Sequence, residues 1–529
     1  MSVALISIYD QWSAGNRSLH SVLNREGIEA DLIFLHIIGD IFTPPSAKSF
    51  DSLMTLLKNL KPELVGISLR SQFWWIGKRI ARRVRKELAV PVIMGGVHVT
   101  LNPEESIEEA DFICRGEGEA ALPELVRRLR SGVPVHDIPG IWTHLPNGEI
   151  VRNAPTIAMH DMDSLPLPVT DRSHWITALG EIIRRDPLFD DKNLLYYMIS
   201  ASRGCPFKCS FCCESVYKEI FGNESGNVRR RSVAHLFEEV KFVKNWFPKL
   251  AQFYFLDEIF NPPAEWMDEF ARRYQGEAGL LFSVMIHPGL LSEKWIESLK
   301  RTGAPFSINF GLQSGSERVR SDVFDRPTSE KTISRVINTV NRYSFPKCVD
   351  IIVDNPFETA EESRQTALTL FRMKRPLFLQ VYSMMFYPGL SITAKAIEAG
   401  FIKKESLPGY TDDIIEIWIP KLGDPGGDPL KTWLKALVHL HQLKMRNLFG
   451  APKEYNPIPI RLLNLLAKKE KVSAREAKAA IIAHDLLLLL AIATYQWGVR
   501  IGISRELMSQ GKFGEFFRRL WGVIKRAFQ

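Results

Sequence analysis

The chain has 529 residues, 45% of them hydrophobic, a length and composition typical of about three globular domains rather than one core. Its six cysteines are too few and too clustered for the disulfide framework of a small secreted protein, so they indicate metal or redox chemistry in a reducing compartment. The net charge of +8 is uneven, because residues 430–529 carry 18 Lys and Arg against 6 Asp and Glu, whereas residues 1–429 carry 50 against 54.

Residues 1–140 alternate short apolar runs with amphipathic stretches. The apolar runs predict buried parallel strands at 3–9, 64–69, 90–96 and 111–116, and the amphipathic stretches predict helices at 16–27, 73–88 and 119–132. This alternation predicts a doubly wound, Rossmann-like α/β domain. Ser and Gly residues cluster where the strands end, and such ends bind ligands in this kind of sheet. No cleavable apolar leader opens the sequence, so we expect a cytoplasmic protein.

A second pattern begins after residues 141–190, which are polar and then proline-rich and predict a linker. Residues 191–395 contain six strand-like runs, and each of the first five precedes a helical stretch. Six repeats are too few for a closed eight-fold barrel, so we predict an open, partial (β/α)6 barrel. Four cysteines lie within 205–213, directly after the first of these strands, and therefore on the face of the barrel where chemistry occurs.

Residues 396–529 predict a helical C-terminal region. Its apolar run from Leu486 is about 14 residues long, short of the ~20 needed to span a bilayer, and predicts a buried helix. The last helical stretch, 511–529, places apolar side chains on one stripe among basic residues, as an interfacial membrane helix does. Docking on the protein's own core gives the same stripe. The stripe consists of Phe513, Phe516, Phe517, Leu520, Ile524 and Phe528.

The cysteines Cys205, Cys209 and Cys212 follow a C-x3-C-x2-C spacing, and Cys213 is an extra neighbour. A structural zinc ion usually takes four ligands, and the two remaining cysteines of the chain are isolated, which disfavours zinc. Adjacent cysteines cannot easily face the same cluster, so Cys213 is expected to be a packed thiol. Three ligands on an iron-sulfur cluster would leave one iron open to bind a reactant.

The stretch "CPFKCSFC" resembles the signature of the radical S-adenosylmethionine (radical SAM) enzymes, and "RRRS", "FLDE", "GLQSGSE" and "DNPFET" follow at matching places. The resemblance implies a [4Fe-4S] cluster on the three cysteines, S-adenosylmethionine on the open iron, and an external electron donor of the flavodoxin or ferredoxin type. It also implies that a small set of side chains lies near the S-adenosylmethionine adenine, amino and ribose groups. The set is Phe211, Asp257, Glu258, Gln313 and Ser314.

Residues 92–105 and 110–122 look like the cobalamin-binding domain that is fused to one branch of this family. The resemblance implies that cobalamin binds at Ser68, Gly95, Gly96, Val97, His98, Gly116, Glu117 and Gly118. The Asp-x-His-x-x-Gly motif that supplies an axial histidine is missing, and we expect His98 to pack or form hydrogen bonds instead. A nucleotide site would also explain the glycines, but the first strand lacks Gly-x-Gly-x-x-Gly.

These resemblances imply a class B-like radical SAM methyltransferase, which would methylate an unactivated carbon of a hydrophobic small molecule by way of a 5'-deoxyadenosyl radical and methylcobalamin. Oxidative cyclisation or rearrangement with the same cofactors is the alternative. A metal-stabilised nucleic-acid-binding protein is disfavoured, and we expect no nucleic-acid partner. His287, Tyr382 and Tyr387 are expected near the substrate. The stripe in 511–529 would suit a lipid-like substrate and peripheral contact with the inner face of the membrane.

Overall fold

The computed structural model describes most of the chain and falls into two compact units. The described residues are 2–35, 44–155, 161–168, 174–178, 180–190, 193–221, 228–374, 377–410, 428–442, 445–446, 454–455, 460–473, 475–477 and 480. The first unit comprises Met1–Glu358 and Met373–Lys421, and the second comprises Thr359–Arg372 and Leu422–Gln529.

A nine-stranded sheet forms the N-terminal part of the first unit. Its strands are β1 (Val3–Ile8), β2 (Ala30–Leu35), β3 (Leu64–Ser68), β4 (Val92–Gly95), β5 (Phe112–Cys114), β6 (Ile141–His144), β7 (Ile150–Arg152), β8 (Trp175–Ala178) and β9 (Glu181–Arg184). They lie in the order β7-β6-β5-β4-β3-β1-β2-β8-β9, and β5, β4, β3, β1, β2 and β8 run parallel. The strand order reverses beside β1, which creates the crevice where doubly wound sheets bind ligands.

Helices cover both faces of this sheet. They are α1 (Ala14–Arg25), α2 (Ala47–Leu60), α3 (Trp74–Leu88), α4 (Val97–Leu101), α5 (Pro103–Ile107) and α6 (Ala121–Ser131). Alternate residues of the fully buried β1 enter opposite cores: Ala4 and Ile6 pack in the same cluster as side chains of α2 and α3, whereas Val3 and Leu5 pack with those of α1 and α6. The all-apolar strand pattern therefore reflects burial on both faces, and the predicted doubly wound α/β architecture is confirmed.

A six-stranded parallel sheet follows, in the order β10-β13-β14-β15-β16-β17. Its strands are β10 (Tyr196–Ile199), β13 (Gln252–Phe255), β14 (Leu281–Ile286), β15 (Phe306–Gln313), β16 (Lys347–Val353) and β17 (Leu377–Ser383), and the short strands β11 (Ser202–Arg203) and β12 (Arg229–Arg230) pair with each other. The sequential order of six parallel strands confirms the predicted partial (β/α)6 barrel.

The helices that follow these strands in the chain are α7 (Cys213–Phe221), α8 (Val233–Trp246), α9 (Ala264–Arg273), α10 (Glu293–Lys300), α11 (Glu330–Val340), α12 (Ala360–Phe371) and α13 (Ser391–Glu398). Four of them begin at a hydroxyl residue whose side chain accepts a hydrogen bond from the backbone, namely Ser232, Ser292, Ser329 and Thr359. These caps satisfy backbone groups that the first helical turn leaves free, and they fix where each helix starts.

The second unit contains α12 together with α14 (Pro429–Gln442), α15 (Ile460–Ala467) and the two-residue strands β18 (Met445–Arg446) and β19 (Glu454–Tyr455). Trp433 Nε1 donates to the Leu466 carbonyl oxygen at 3.1 Å, which ties α14 to α15. The predicted stripe at 511–529 and the predicted buried helix that starts at Leu486 lie outside the described residues. None of the helices within the described ranges is long and apolar enough to cross a membrane.

Two parts of the sheet differ from the sequence-based expectation. Sequence patterning predicts a linker at 141–190, whereas β6, β7, β8 and β9 from this range extend both edges of the N-terminal sheet. These strands have only three or four residues each, too few to show a clear hydrophobic period, and β9 is exposed along its whole length. The sequence pattern also did not predict the second strand, β2, and the helix α2 that follows it, although β2 is almost completely buried.

Candidate active site

The cysteine loop connects β11 to α7 and is fixed to the rest of the barrel by its backbone. The Ser210 amide donates to the Phe324 carbonyl oxygen at 2.9 Å, and Ser210 Oγ donates to the Val323 carbonyl oxygen at 2.7 Å. Within the loop, the Cys212 amide donates to the Cys209 carbonyl oxygen at 3.0 Å. The loop is therefore held in shape by bonds that do not use the cysteine thiols.

The thiols of Cys205, Cys209 and Cys212 lie within electrostatic reach of one another. Burial raises the pKa of Cys205 to about 12, and the other two thiols add to this rise. Burial raises the pKa of Cys209 as well, but the Arg326 guanidinium opposes it and donates to its Sγ at 3.3 Å. No group of three His, Cys, Asp or Glu side chains among the described residues is placed to hold a single metal ion.

Cys213 begins α7, one residue beyond the loop, and its thiol interacts with that of Cys212. The hydrogen bond between the two thiols is the largest cause of the raised pKa of Cys212, and burial is the second. The donor set offers three thiols on one loop and a fourth on the adjoining helix. That arrangement suits a cluster held by three thiolates.

A cavity of about 770 Å³, here called the barrel-mouth cavity, lies between the cysteine loop, the ends of β15 to β17 and the N-terminal domain. Its polar and charged walls come from Arg70, Ser71, Gln72, Cys212, Cys213, Gln313, Asp350, Gln380, Tyr382, Ser383 and Tyr387, and its apolar walls from Val97, Leu101, Phe211, Ile352, Val381, Met384, Met385 and Leu390. The predicted residues Val97, Phe211, Cys212, Gln313, Tyr382 and Tyr387 thus meet around one space.

A second cavity of about 640 Å³, here called the strand-edge cavity, lies beyond the carboxyl ends of β1, β3, β4 and β5 and reaches β10 of the barrel. Six of the predicted cobalamin residues line it, namely Ser68, Gly95, Gly96, Gly116, Glu117 and Gly118. Gly96 has a φ of 94°, and a Cβ there would lie 2.8 Å from the Leu69 carbonyl oxygen, so no other residue fits this turn. Glycine at the other three positions leaves the cavity free of side chains and suits a bulky ligand.

The predicted S-adenosylmethionine residues divide between the two cavities and the core. Glu258 lines the strand-edge cavity, where desolvation raises its pKa to about 7 and the Glu214 carboxylate adds to the rise. Gln313 lines the barrel-mouth cavity and has a φ of 63° at an irregularity of β15. Asp257 and Ser314 are buried and bonded within the protein. Asp257 accepts from the Ala201 amide at 3.0 Å, and Ser314 Oγ donates to Glu358 at 3.0 Å.

Glu117 connects the N-terminal domain to the barrel by ion pairs. Its carboxylate lies 2.6 Å from Arg229 Nη2 and 3.3 Å from Arg203 Nη1, and Arg203 Nη2 also lies 2.8 Å from Glu119. Burial would raise the pKa of Glu117, but the two guanidinium groups outweigh that effect and lower it. The loop predicted to cradle cobalamin is therefore anchored to β11 and β12.

His98 is fully buried and is not among the described residues that line either cavity. Its Nδ1 lies 3.1 Å from Ser71 Oγ, its Nε2 lies 3.4 Å from Glu105, and its ring packs on Trp74 with a centroid distance of 4.5 Å. Tyr410 also donates to Glu105 at 2.6 Å, which extends the contact. These partners suit the packing role expected for this histidine.

His287, predicted near the substrate, lies at the end of β14 and is not among the described residues that line either cavity. Its ring stacks on Phe207 of the cysteine loop at 3.8 Å, and its Nδ1 accepts from the Gly289 amide at 3.0 Å. Burial lowers its pKa to about 3, and Arg326 adds to the decrease. The neutral ring therefore packs against the cysteine loop through Phe207.

Sequence reasoning missed three groups at this site: Arg326, Asp350 and the short turn Ser71–Phe73 that carries Ser71 and Gln72 into the barrel-mouth cavity. The turn and Arg326 have no local sequence signal. Asp350 does have one, because it is an acid at an interior position of an otherwise apolar strand, "CVDIIVD".

Comparison with known families gives two matches, one for each of the two sheets. The Radical SAM superfamily matches residues 199–370, and the B12 binding domain matches residues 3–126. The first match contains the cysteine loop and β13 to β16. The second contains β1 to β5 and the glycines of the strand-edge cavity.

Individual relatives of the chain include methyltransferases and a cyclase, all at low sequence identity. An uncharacterized methyltransferase of Pyrococcus horikoshii is 26% identical over 371 residues, which are 69% of this chain and 75% of the relative. The anaerobic magnesium-protoporphyrin IX monomethyl ester cyclase of Rubrivivax gelatinosus is 27% identical over 175 residues, which are 31% of this chain and 29% of the cyclase. The solved structure of the radical S-adenosylmethionine methyltransferase TsrM from Kitasatospora setae, with cobalamin and a [4Fe-4S] cluster bound, has a TM-score of 0.59 at 17% identity over 75% of this chain and 78% of that chain. That likeness shows a shared fold.

Proposed function

We propose that this chain transfers a methyl group to an unactivated carbon of an apolar small molecule. The premise is that it belongs to the radical SAM enzymes that carry a B12 binding domain. One observation supports this most directly. The barrel-mouth cavity brings the cysteine loop and the N-terminal domain to the walls of one largely apolar space. Methyltransferases occur among the relatives of the chain.

The cofactors of the chain are a [4Fe-4S] cluster, S-adenosylmethionine and cobalamin. We assign the cluster to Cys205, Cys209 and Cys212, and the cobalamin tail to the glycine-lined strand-edge cavity. When bound, the cluster and S-adenosylmethionine supply hydrogen abstraction from carbon, and cobalamin supplies the methyl group. An external protein of the flavodoxin or ferredoxin type would supply electrons.

The protein's own residues would position these groups and exclude water. The cysteine loop is fixed through Ser210, so that the three thiols are held in place before the cluster binds. Gln313 would present polar atoms to S-adenosylmethionine in the barrel-mouth cavity, which Cys212 also lines, whereas Glu258 lies at the strand-edge cavity assigned to the cobalamin tail. Apolar side chains of β17 and the following loop shield a reactive carbon centre from solvent, among them Val381, Met384 and Met385.

Oxidative cyclisation with the same cofactors is the second candidate. It is favoured by the match to the magnesium-protoporphyrin IX monomethyl ester cyclase, although the chain spans less than a third of that relative. Both candidates use the same cavity and differ in the fate of the substrate radical.

Isotope labelling distinguishes the two. Anaerobically reconstituted enzyme is incubated with reductant, methyl-labelled S-adenosylmethionine and an extract of apolar small molecules. Label in a new product supports methyl transfer. Consumption of S-adenosylmethionine with a product that lacks label supports cyclisation. No consumption under reducing conditions contradicts both.

A further inference from the structure

Asp350 lies on β16 inside the barrel and lines the barrel-mouth cavity. In the strand register it is opposite Gly311 of β15 on one side and Gln380 of β17 on the other, so it lies on an interior strand of the sheet. Only 7% of the surface of Asp350 is exposed. Asp350 is the single acid among the described residues that line this cavity.

The carboxylate of Asp350 has no ion-pair partner in the described part of the chain, and its Oδ1 is buried without a hydrogen bond. Arg326 is the cation whose charge acts on it, but the guanidinium donates to Cys209 Sγ and to the Gly311 carbonyl oxygen instead. A buried carboxylate without a partner is costly, so it either keeps its proton or is completed by a bound group. Arg70, the other charged residue of the cavity wall, pairs with Asp10 at 3.4 Å.

The walls around Asp350 define what the ligand must offer. Ile352, Val381, Met384 and Met385 make the cavity largely apolar. Tyr382 and Gln380 are bonded to each other at 3.1 Å, so the hydroxyl proton of Tyr382 is already used. A ligand that fills this space must have an apolar body and one group that donates to a carboxylate.

We propose that Asp350 selects substrates that carry a protonated amine on an apolar body, and that it pairs with this amine inside the barrel-mouth cavity. The inference rests on the proposed function in taking this cavity as the substrate site. An amine satisfies both needs of the site, because it donates hydrogen bonds and neutralises the buried charge. A carboxylate would face Asp350 with like charge and be rejected.

The groups that surround Asp350 fit this assignment. Burial raises the pKa of its carboxyl to about 7, and Arg326 opposes the rise. Tyr254 of β13, Cys348 of β16 and Tyr382 of β17 interact with it, and Asp350 contributes to the raised pKa values of all three. These neighbours are neutral when protonated, so Arg326 is the one cation among the described residues whose charge acts on Asp350.

The test measures binding to holoenzyme reconstituted with cluster and cobalamin and supplied with S-adenosylmethionine. Three probes share one apolar body: phenylbutylamine, phenylbutanol and phenylbutyrate. Dissociation constants are measured by ligand-observed NMR above the pKa of about 7. We expect the amine to bind at least ~10-fold more tightly than the acid. Asp350→Asn should weaken binding of the amine by a similar factor and should change the affinity for the alcohol little.

Two further variants control the result. Asp350→Glu keeps the charge and should keep the order of the three probes. Glu297→Gln removes the same charge from the exposed surface of α10 and should change nothing. Equal affinity for amine and acid, an unchanged amine affinity in Asp350→Asn, or failure of all three probes to bind overturns the proposal. Because the readout is binding, it is independent of whether methyl transfer is later observed.

Discussion

The Arg326 guanidinium donates a hydrogen bond to Sγ of Cys209 at 3.3 Å, and its second amino group donates to the Gly311 carbonyl oxygen at 3.1 Å. The arginine thereby holds a fixed positive charge beside a thiol assigned to the cluster. Hydrogen bonds to ligand sulfur stabilise the more negative, reduced state of an iron-sulfur cluster. Arg326 should therefore make the cluster easier to reduce.

Replacing Arg326 by Met should lower the reduction potential of the cluster. A loss of about 1.4 kcal/mol of differential interaction corresponds to roughly 60 mV for one electron, and we expect a shift of that order. Arg326→Lys keeps the charge and should retain part of the effect. The measurement is a redox titration followed by paramagnetic resonance. Arg318→Met is the matched control, since Arg318 is exposed and donates to the Phe357 carbonyl oxygen; an equal potential in Arg326→Met and this control contradicts the prediction.

Replacing Cys213 by Ala should leave iron and sulfide content near that of the wild type, whereas Cys212→Ala should abolish the cluster. The reason is positional, because Cys213 already belongs to α7 while Cys212 lies in the loop fixed by Ser210. Iron and sulfide per chain after anaerobic reconstitution provide the measurement. Loss of the cluster in Cys213→Ala would instead make Cys213 a ligand.

The sequence was sufficient for the features that depend on short-range pattern. Buried parallel strands such as β1 are apolar on both faces, and the cysteine spacing lies within one loop, so both were predictable from local sequence. The antiparallel strands β6 and β9 were not, since each has only four residues and carries little hydrophobic pattern. Their place is decided by backbone pairing with β5 and β8.

The site itself was only partly predictable for a related reason. The glycines of the strand-edge cavity come from strand ends, whose convergence follows from the topology. Arg326 reaches Cys209 across 117 positions of sequence, and Glu117 reaches Arg229 across 112, so no local motif records either contact. Local sequence also did not predict the separation of Glu258 and Gln313. The family resemblance implies that both lie near S-adenosylmethionine, whereas the structure places them at different cavities.

His98 should contribute to stability and not to the cobalt coordination. Its Nδ1 lies 3.1 Å from Ser71 Oγ, its Nε2 lies 3.4 Å from the Glu105 carboxylate without forming a hydrogen bond, and the ring is buried against Trp74. His98→Ala should lower the free energy of unfolding by about 3 kcal/mol, because it removes buried packing and leaves polar partners unsatisfied. Incorporation of ¹⁵N-labelled histidine should leave the paramagnetic resonance spectrum of bound cob(II)alamin unchanged. A change in nitrogen splitting would assign an axial histidine after all.

Asp350 should also make stability depend on pH in an unusual direction. Its pKa is about 7 in the folded protein and about 3.9 in the unfolded chain, so between these values the folded state holds the extra proton. The contribution of this group to stability is therefore greatest below about pH 4 and is lost as the pH rises to about 7, by on the order of 4 kcal/mol in total. Asp350→Asn removes the titration. The difference in unfolding free energy between wild type and Asp350→Asn, from urea denaturation at several pH values, isolates this slope from all other carboxyl groups.

The same experiment links stability to the proposed ligand. A bound amine favours the ionised carboxylate, so saturating phenylbutylamine should move the loss of stability to lower pH or remove it, while phenylbutyrate should not. The Glu297 carboxylate pairs with Lys300 on the surface, and this pair lowers its pKa, so Glu297→Gln should leave the loss of stability near pH 7 unchanged. Parallel wild-type and Asp350→Asn curves without ligand would mean that water reaches the carboxylate freely. The cavity would then lack the desolvated acid on which amine selection depends.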